Sequence, residues 1–160
     1  MQIRPIQPAD DSALYHIIQT DLQAAGLALP GTAYDDPELA TLSQFYAAQA
    51  NRQYFVVVNA QREVVGGAGV AAYDAANGVA ELQKLYLRAD ARGQGLSYQL
   101  LQHVEAFARQ AGYRQLYLET HHRLAAALHV YHRAGFRLLA GPLRVAEHPT
   151  MDRFMVKDLG

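Results

Sequence analysis

Residues 85–102, LYLRADARGQGLSYQLLQ, run from a short apolar strand through a glycine-bearing turn straight into an amphipathic helix. That order narrows the folds open to the chain. A strand followed at once by a packed helix returns to the same sheet, and the next strand becomes a parallel neighbour reached by a right-handed crossover. The turn itself, Arg92-Gly93-Gln94-Gly95-Leu96-Ser97, opens the helix. A helix start leaves backbone N–H groups unpaired and pointing one way, with the positive end of the helix dipole behind them. Such a loop suits a phosphate or pyrophosphate, and glycine lets the anion approach the backbone closely.

Two common phosphate loops do not fit. The P-loop needs a Gly-Lys pair, which this chain lacks, and the dinucleotide fingerprint G-x-G-x-x-G fails because Tyr98 stands where its third glycine belongs.

Bulk properties exclude several classes of protein. The 160 residues suffice for one domain with a sizeable core, so residues 1–160 are expected to form a single unit. Hydrophobic residues make up 51% and charged residues 18%, far from a disordered composition. The net charge of −1, with both signs interspersed, favours neither nucleic acid nor an anionic membrane as partner. No apolar run approaches a membrane span and MQIRPIQPADD lacks a signal-like apolar core, so a cytoplasmic protein is expected. With no cysteine, disulfides, thiolate metal sites and an acyl-cysteine intermediate are excluded.

The pattern along the chain alternates periods. Residues 3–6 read as a strand, and Asp10 or Asp11 caps a helix carrying Leu14, Ile17, Ile18 and Leu22 on one face. A breaker-rich loop at 26–36 leads to Asp36-Pro37, read as N-cap and first turn of a second helix bearing Leu39, Leu42, Phe45 and Tyr46. Strands follow at 54–58, 64–73 and 79–87, with Gly66, Gly67 and Gly69 marking a bulge or a close neighbour. The helix after the anion loop buries Leu96, Leu100, Leu101, Val104, Phe107 and Ala111 and stops at Gly112. A strand at 115–119, a helix at 124–134 and strands at 136–139 and 152–159 complete the chain. The order β-α-α-β-β-β-α-β-α-β-β predicts a mixed α/β (α+β) architecture: a central sheet of about seven strands flanked by about four helices, with hairpins early and parallel crossovers late.

The Arg92-x-x-Gly95-x-Ser97 loop resembles the acetyl-CoA pyrophosphate motif of the GNAT N-acetyltransferase superfamily, Gln/Arg-x-x-Gly-x-Gly/Ala. The element order matches that family over nearly the whole chain. Residues 127–136, ALHVYHRAGF, are similar to its A-x-x-x-Y-x-x-x-G-F signature. The resemblance implies a GNAT-like fold and acetyl-CoA as co-substrate, with no metal. It puts the pyrophosphate on the amides of Gly93, Gln94, Gly95, Leu96 and Ser97 beside Arg92. The pantetheine arm would pair with the backbone of Leu85, Tyr86 and Leu87. It implies Tyr131 as the general acid that protonates the departing thiolate. Glu81, eleven residues before Arg92, matches the offset of a base glutamate in some members.

Other residues stay open as alternatives. Glu119 and the histidines 121, 122, 129 and 132 are further base candidates, and His129 and His132 are spaced to meet one metal without any companion ligand motif. Period-two alternation puts Glu81, Gln83, Leu85 and Leu87 on one face unless a bulge intervenes. Two departures from the family pattern are Ser97 in place of Gly or Ala, and Leu124 where many members carry an arm-binding Asn. The expected activity is direct acetyl transfer to a primary amine, on a small molecule or a peptide, in a ternary complex. The acceptor pocket would lie beside the 26–36 loop and the first two helices, with Tyr34, Asp35 and Asp36 to meet a cation. Rival readings are a non-catalytic acyl-CoA sensor, which Leu124 and Ser97 allow, and a nucleotide-binding α/β protein. Edge strands near the C-terminus leave homodimer pairing open.

Overall fold

The computed structural model describes residues 1–144 and 148–160. Its strands are β1 (Gln2–Pro5), β2 (Gln53–Val58), β3 (Val64–Asp74), β4 (Val79–Leu87), β5 (Gln115–Thr120), β6 (Arg137–Leu138) and β7 (Arg153–Asp158). They form one seven-stranded sheet in the order β1-β2-β3-β4-β5-β7-β6. The helices among the described residues are α1 (Asp11–Ala24), α2 (Leu42–Ala47), α3 (Leu96–Gln110) and α4 (Ala125–Arg133). The mixed sheet and the helix count agree with the expected architecture. No helix of the described residues is long and apolar enough to cross a membrane.

Each face of the sheet carries its own core. On one, α1 lays Leu14, Ile18 and Leu22 against Tyr46, Tyr54, Val56 and Val58. On the other, Leu96, Leu100, Leu101, Val104 and Ala108 of α3 cover Val57, Val70, Leu82 and Leu116. Each fully buried leucine in such a core contributes about 1.5–3 kcal/mol of transfer free energy. The apolar stripe of α3 runs through Ala108 rather than Ala111, which is exposed at the C-cap.

The strands β1 to β4 are antiparallel neighbours. β4 and β5, separated by α3, are parallel, as the strand-turn-helix order requires. The later part departs from the expectation of successive parallel crossovers. β7 inserts antiparallel between β5 and β6, so β6 reaches the sheet only through β7. The short edge strand β6 thus lies beside the last strand of the chain, not beside β5.

The start of the second helix is also corrected. Asp36 does not cap it: its carboxylate goes to Lys84 and His148, and the chain makes only a 3-10 turn at Leu39–Thr41 before α2. The first amides of α2 are served instead from α1. The Asp11 carboxylate accepts Ser43 N at 2.8 Å and Ser43 Oγ at 2.6 Å. Asp10 turns the other way and accepts from Gln7 N and the Arg4 guanidinium.

The glycines of β3 answer to close neighbours. A Cβ on Gly67 would lie 2.4 Å from Tyr54 Cε1 and 2.7 Å from Phe55 O, and one on Gly69 would lie 2.5 Å from Tyr46 Oη. Two buried tyrosines therefore rest directly on the β3 backbone, beneath the strand that builds the site.

Candidate active site

The loop before α3 is built as an amide cradle. Gly93 and Gly95 hold φ of 76° and 75°, the left-handed region that other residues enter at a cost of about 1–2 kcal/mol. Nothing lies within 4 Å of where their Cβ atoms would be, so the loop leaves open space above its backbone. The first helical amide bond is Gln99 N to Gly95 O at 3.3 Å. Among the described residues, the N–H groups of 93–98 have no backbone acceptor. Arg92 lies beside them, its Nε donating to Leu87 O at 3.3 Å and its Nη2 paired with Asp21 of α1. Ser97 lines the adjoining cleft; Leu96 points into the core, and Gln94 turns toward Asp90 O.

Next to the cradle, β4 is bent by a bulge. Gly67 faces Tyr86 and Gly69 faces Gln83, so Lys84 and Leu85 together oppose Ala68. Lys84 takes φ of 50°, and its carbonyl accepts Tyr54 Oη at 2.8 Å. The bulge breaks the alternation expected from period two. Glu81 and Gln83 face the α1 and α2 side with Tyr46, whereas Leu85 and Leu87 join the α3 core. Beyond Glu81 opposite Tyr117, β4 and β5 have no further pairing. The β5-facing edge of β4 is thereby left without a strand across residues 82–87.

That gap opens into a cleft of about 400 Å³ lined by Leu85, Tyr86, Leu87, Arg92, Gly93 and Ser97 on one wall and Arg123 to Ala127 on the other. A smaller cavity of about 70 Å³ beside it is lined by residues including Tyr131, Lys84, Glu119, Thr120 and Met151. The two spaces share Asp21, Leu85, Tyr86, Leu124 and Ala127 in their walls. Tyr131 is only 6% exposed, and burial holds its phenol well above the ordinary tyrosine range, so it stays protonated at neutral pH. Leu124 turns the chain from β5 into α4 and gives the junction an apolar wall.

Glu81 lines neither space. It is buried at 5% exposure behind the opening and accepts Gln83 Nε2 at 2.8 Å, while Gln83 Oε1 accepts Tyr46 Oη at 2.7 Å. Glu119 does line the inner cavity, and its Oε2 accepts Tyr117 Oη at 2.8 Å. Tyr117 stacks on Tyr73 with centroids 4.3 Å apart; burial, then the bond to Glu119, pushes its phenol far up.

Lys84 reaches the side of α2. Its Nζ lies 2.7 Å from Asp36 and 3.4 Å from Glu38, and Asp36 also meets His148 Nε2 at 2.8 Å. The Asp36 carboxylate is thus already engaged by the Lys84 ammonium and the His148 imidazole, and Tyr34 accepts Gln23 Nε2. Tyr34, Asp35 and Asp36 line neither space, contrary to the expected cation-meeting role. His129 and His132 are exposed and join no cluster of three ligands among the described residues. His121 and His122 instead gather around Asp152, at the end of β5.

The sequence reasoning missed three residues. Lys84 carries no local signal for its positive φ, though the crowding of glycines opposite it was a clue. Asp21 reads as a solvated position on the helix period, and His148 meets Asp36 across 112 positions of sequence.

Comparison with known proteins agrees with this geometry. The sequence profile of the acetyltransferase (GNAT) family matches residues 12–136. The uncharacterized N-acetyltransferase YjgM of Escherichia coli (strain K12) is 32% identical over 159 residues, covering 98% of this chain and 94% of YjgM. A GNAT-family acetyltransferase from Staphylococcus aureus Mu50 superposes with a TM-score of 0.87 at 20% identity, over 99% of both chains. The phosphinothricin acetyltransferase Pat of Sinorhizobium meliloti, solved with AcCoA, superposes with a TM-score of 0.77 at 20% identity, over 99% of this chain and 88% of Pat.

Proposed function

Since the chain belongs to the GNAT acetyltransferase family, we propose that it moves the acetyl group of acetyl-CoA to a primary amine by direct attack in one ternary complex. One observation carries this reading. The start of the amide cradle at α3 and the unpaired edge of β4 line one cleft, and Tyr131 lines a second cavity that shares five wall residues with it. Acetyl-CoA has that sequence of needs: an anion site, a strand-like partner for its amide-bearing arm, and an acid at its sulfur. The AcCoA bound to Pat is consistent with the choice of co-substrate.

In this reading the pyrophosphate sits on the N–H groups of 93–98, with Arg92 adding a charge-assisted contact. The arm pairs with the backbone of Leu85, Tyr86 and Leu87, and Leu124 and Ala127 cover its apolar side. The amine attacks the thioester carbonyl carbon, and its proton passes to a carboxylate. Glu119 lines the inner cavity, and Glu81 behind it acts through water. As the tetrahedral intermediate collapses, the C–S bond breaks and Tyr131 gives its proton to the leaving thiolate.

The acceptor is a small-molecule or peptide amine. Release of CoA-SH, followed with a thiol reagent across an amine library, tests the activity itself and separates an enzyme from an acyl-CoA sensor. Replacing Tyr131 by Phe should lower kcat by about 10²- to 10⁴-fold while leaving acetyl-CoA affinity near wild type. Unchanged turnover would remove Tyr131 as the acid.

A further inference from the structure

Asp21 has a position that no role above uses. It is the only carboxylate, among the described residues, that lines both the outer cleft and the inner cavity. From α1 it pairs with the Arg92 guanidinium on one side and shares the inner space with Glu119, Lys84 and Tyr131 on the other. Burial pushes its carboxyl up from the usual carboxylate range, and the charge and hydrogen bond of Arg92 only partly offset this. Among the described residues, Arg92 is the one cation paired with it. A pyrophosphate seated on the cradle would compete for that same guanidinium and leave the partly buried carboxylate without it. A second cation entering the inner cavity would restore the balance.

We propose that Asp21 is the carboxylate that anchors the acceptor's ammonium group, released to it when the cofactor's pyrophosphate draws Arg92 away. The inference rests on the acetyltransferase reading above and names a specificity residue within it. The acceptor is then a cationic amine that arrives as its ammonium form, bonds Asp21, and gives up a proton at the cavity before attack. Glu119, the other carboxylate in the cavity wall, takes that proton. The Arg92–Asp21 pair also sets an order, because Asp21 is fully free for the acceptor only after acetyl-CoA has bound.

Two analogues test this without knowing the acceptor. S-(3-aminopropyl)-CoA carries an ammonium just beyond the sulfur, and S-butyl-CoA has the same shape with a methyl group instead. Calorimetric titration of wild type should give about tenfold tighter binding of the ammonium analogue, the scale of one partly buried charge pair. Asp21→Asn should bind S-butyl-CoA as well as wild type or better and show no preference, whereas Glu119→Gln should keep the preference. Equal binding of the two analogues by wild type would overturn the proposal, as would a preference that survives in Asp21→Asn. Loss of both analogues in Asp21→Asn would reduce Asp21 to a prop for Arg92 and also overturn it. Failure of wild type to bind either analogue would instead strike the acetyl-CoA reading, and the anchor would fall with it.

Discussion

The bulge in β4 lies along the gap between β4 and β5, and a single hydroxyl holds its carbonyl. Tyr54 is fully buried, and its Oη donates to Lys84 O at 2.8 Å, at the residue whose φ is 50°. Replacing Tyr54 by Phe keeps the ring and its packing against Tyr46 but leaves a part-buried carbonyl without its donor. An acceptor stranded in this way costs about 1–3 kcal/mol. For a chain of this size each kcal/mol moves the melting temperature by about 2–4 °C, so the loss should be about 2–12 °C. Tyr34→Phe serves as the control, since its partly exposed hydroxyl only accepts from Gln23 and should change stability by no more than about 0.5 kcal/mol. Thermal melts by circular dichroism read both variants. If Tyr54→Phe melts with wild type, or no lower than Tyr34→Phe, the hydroxyl does not hold the bulge and this account of the gap is wrong.

Three further outcomes are expected. The hydrogen bond that His148 Nε2 donates to the Asp36 carboxylate raises the His148 pKa against the opposing effect of burial. Burial opposes ionisation of Asp36, yet His148 and Lys84 together hold its pKa below the usual value. The His148 contribution is therefore fully present below about pH 6.5 and fades as pH rises through its folded value; the Asp36 contribution is present above about pH 3.9 and fades as pH falls through its own. Urea midpoints of wild type and His148→Gln should differ most between these limits and converge toward pH 9; a constant difference would count against the pair. Gly95→Ala has φ of 75° and no steric neighbour, so backbone strain alone should cost about 1–2 kcal/mol, seen as a lower melting temperature. An unshifted melt would show that the loop does not need its left-handed residue. The fall in kcat for Tyr131→Phe completes the set.

Much of this architecture was legible in the chain. The period of Leu96, Leu100, Leu101 and Val104 specified α3, and the glycine turn before it specified a parallel crossover, because both follow from local geometry. What stayed hidden depends on contacts between distant segments. The bulge at Lys84 lies where two tyrosines pack on the β3 glycines, and it turns Leu85 away from the face of Glu81. Asp36 followed by Pro37 has the form of a helix cap, yet two side chains from elsewhere, Lys84 and His148, engage its carboxylate instead of the local amides. Asp11 supplied the cap for α2 across 32 positions of sequence. The candidate site divides in the same way. The cradle, Tyr131 and Glu119 at the end of its strand were legible, whereas the withdrawal of Glu81 from both spaces depends on where β4 leaves β5.

Whether the cradle and the open edge of β4 receive acetyl-CoA is read by isothermal titration of acetyl-CoA into wild type and Arg92→Glu. Wild type should bind one acetyl-CoA per chain saturably, and Arg92→Glu at least about thirtyfold more weakly through a lost charge contact and a new repulsion. Absence of binding to wild type, or equal binding to both proteins, would contradict the acetyl-CoA reading.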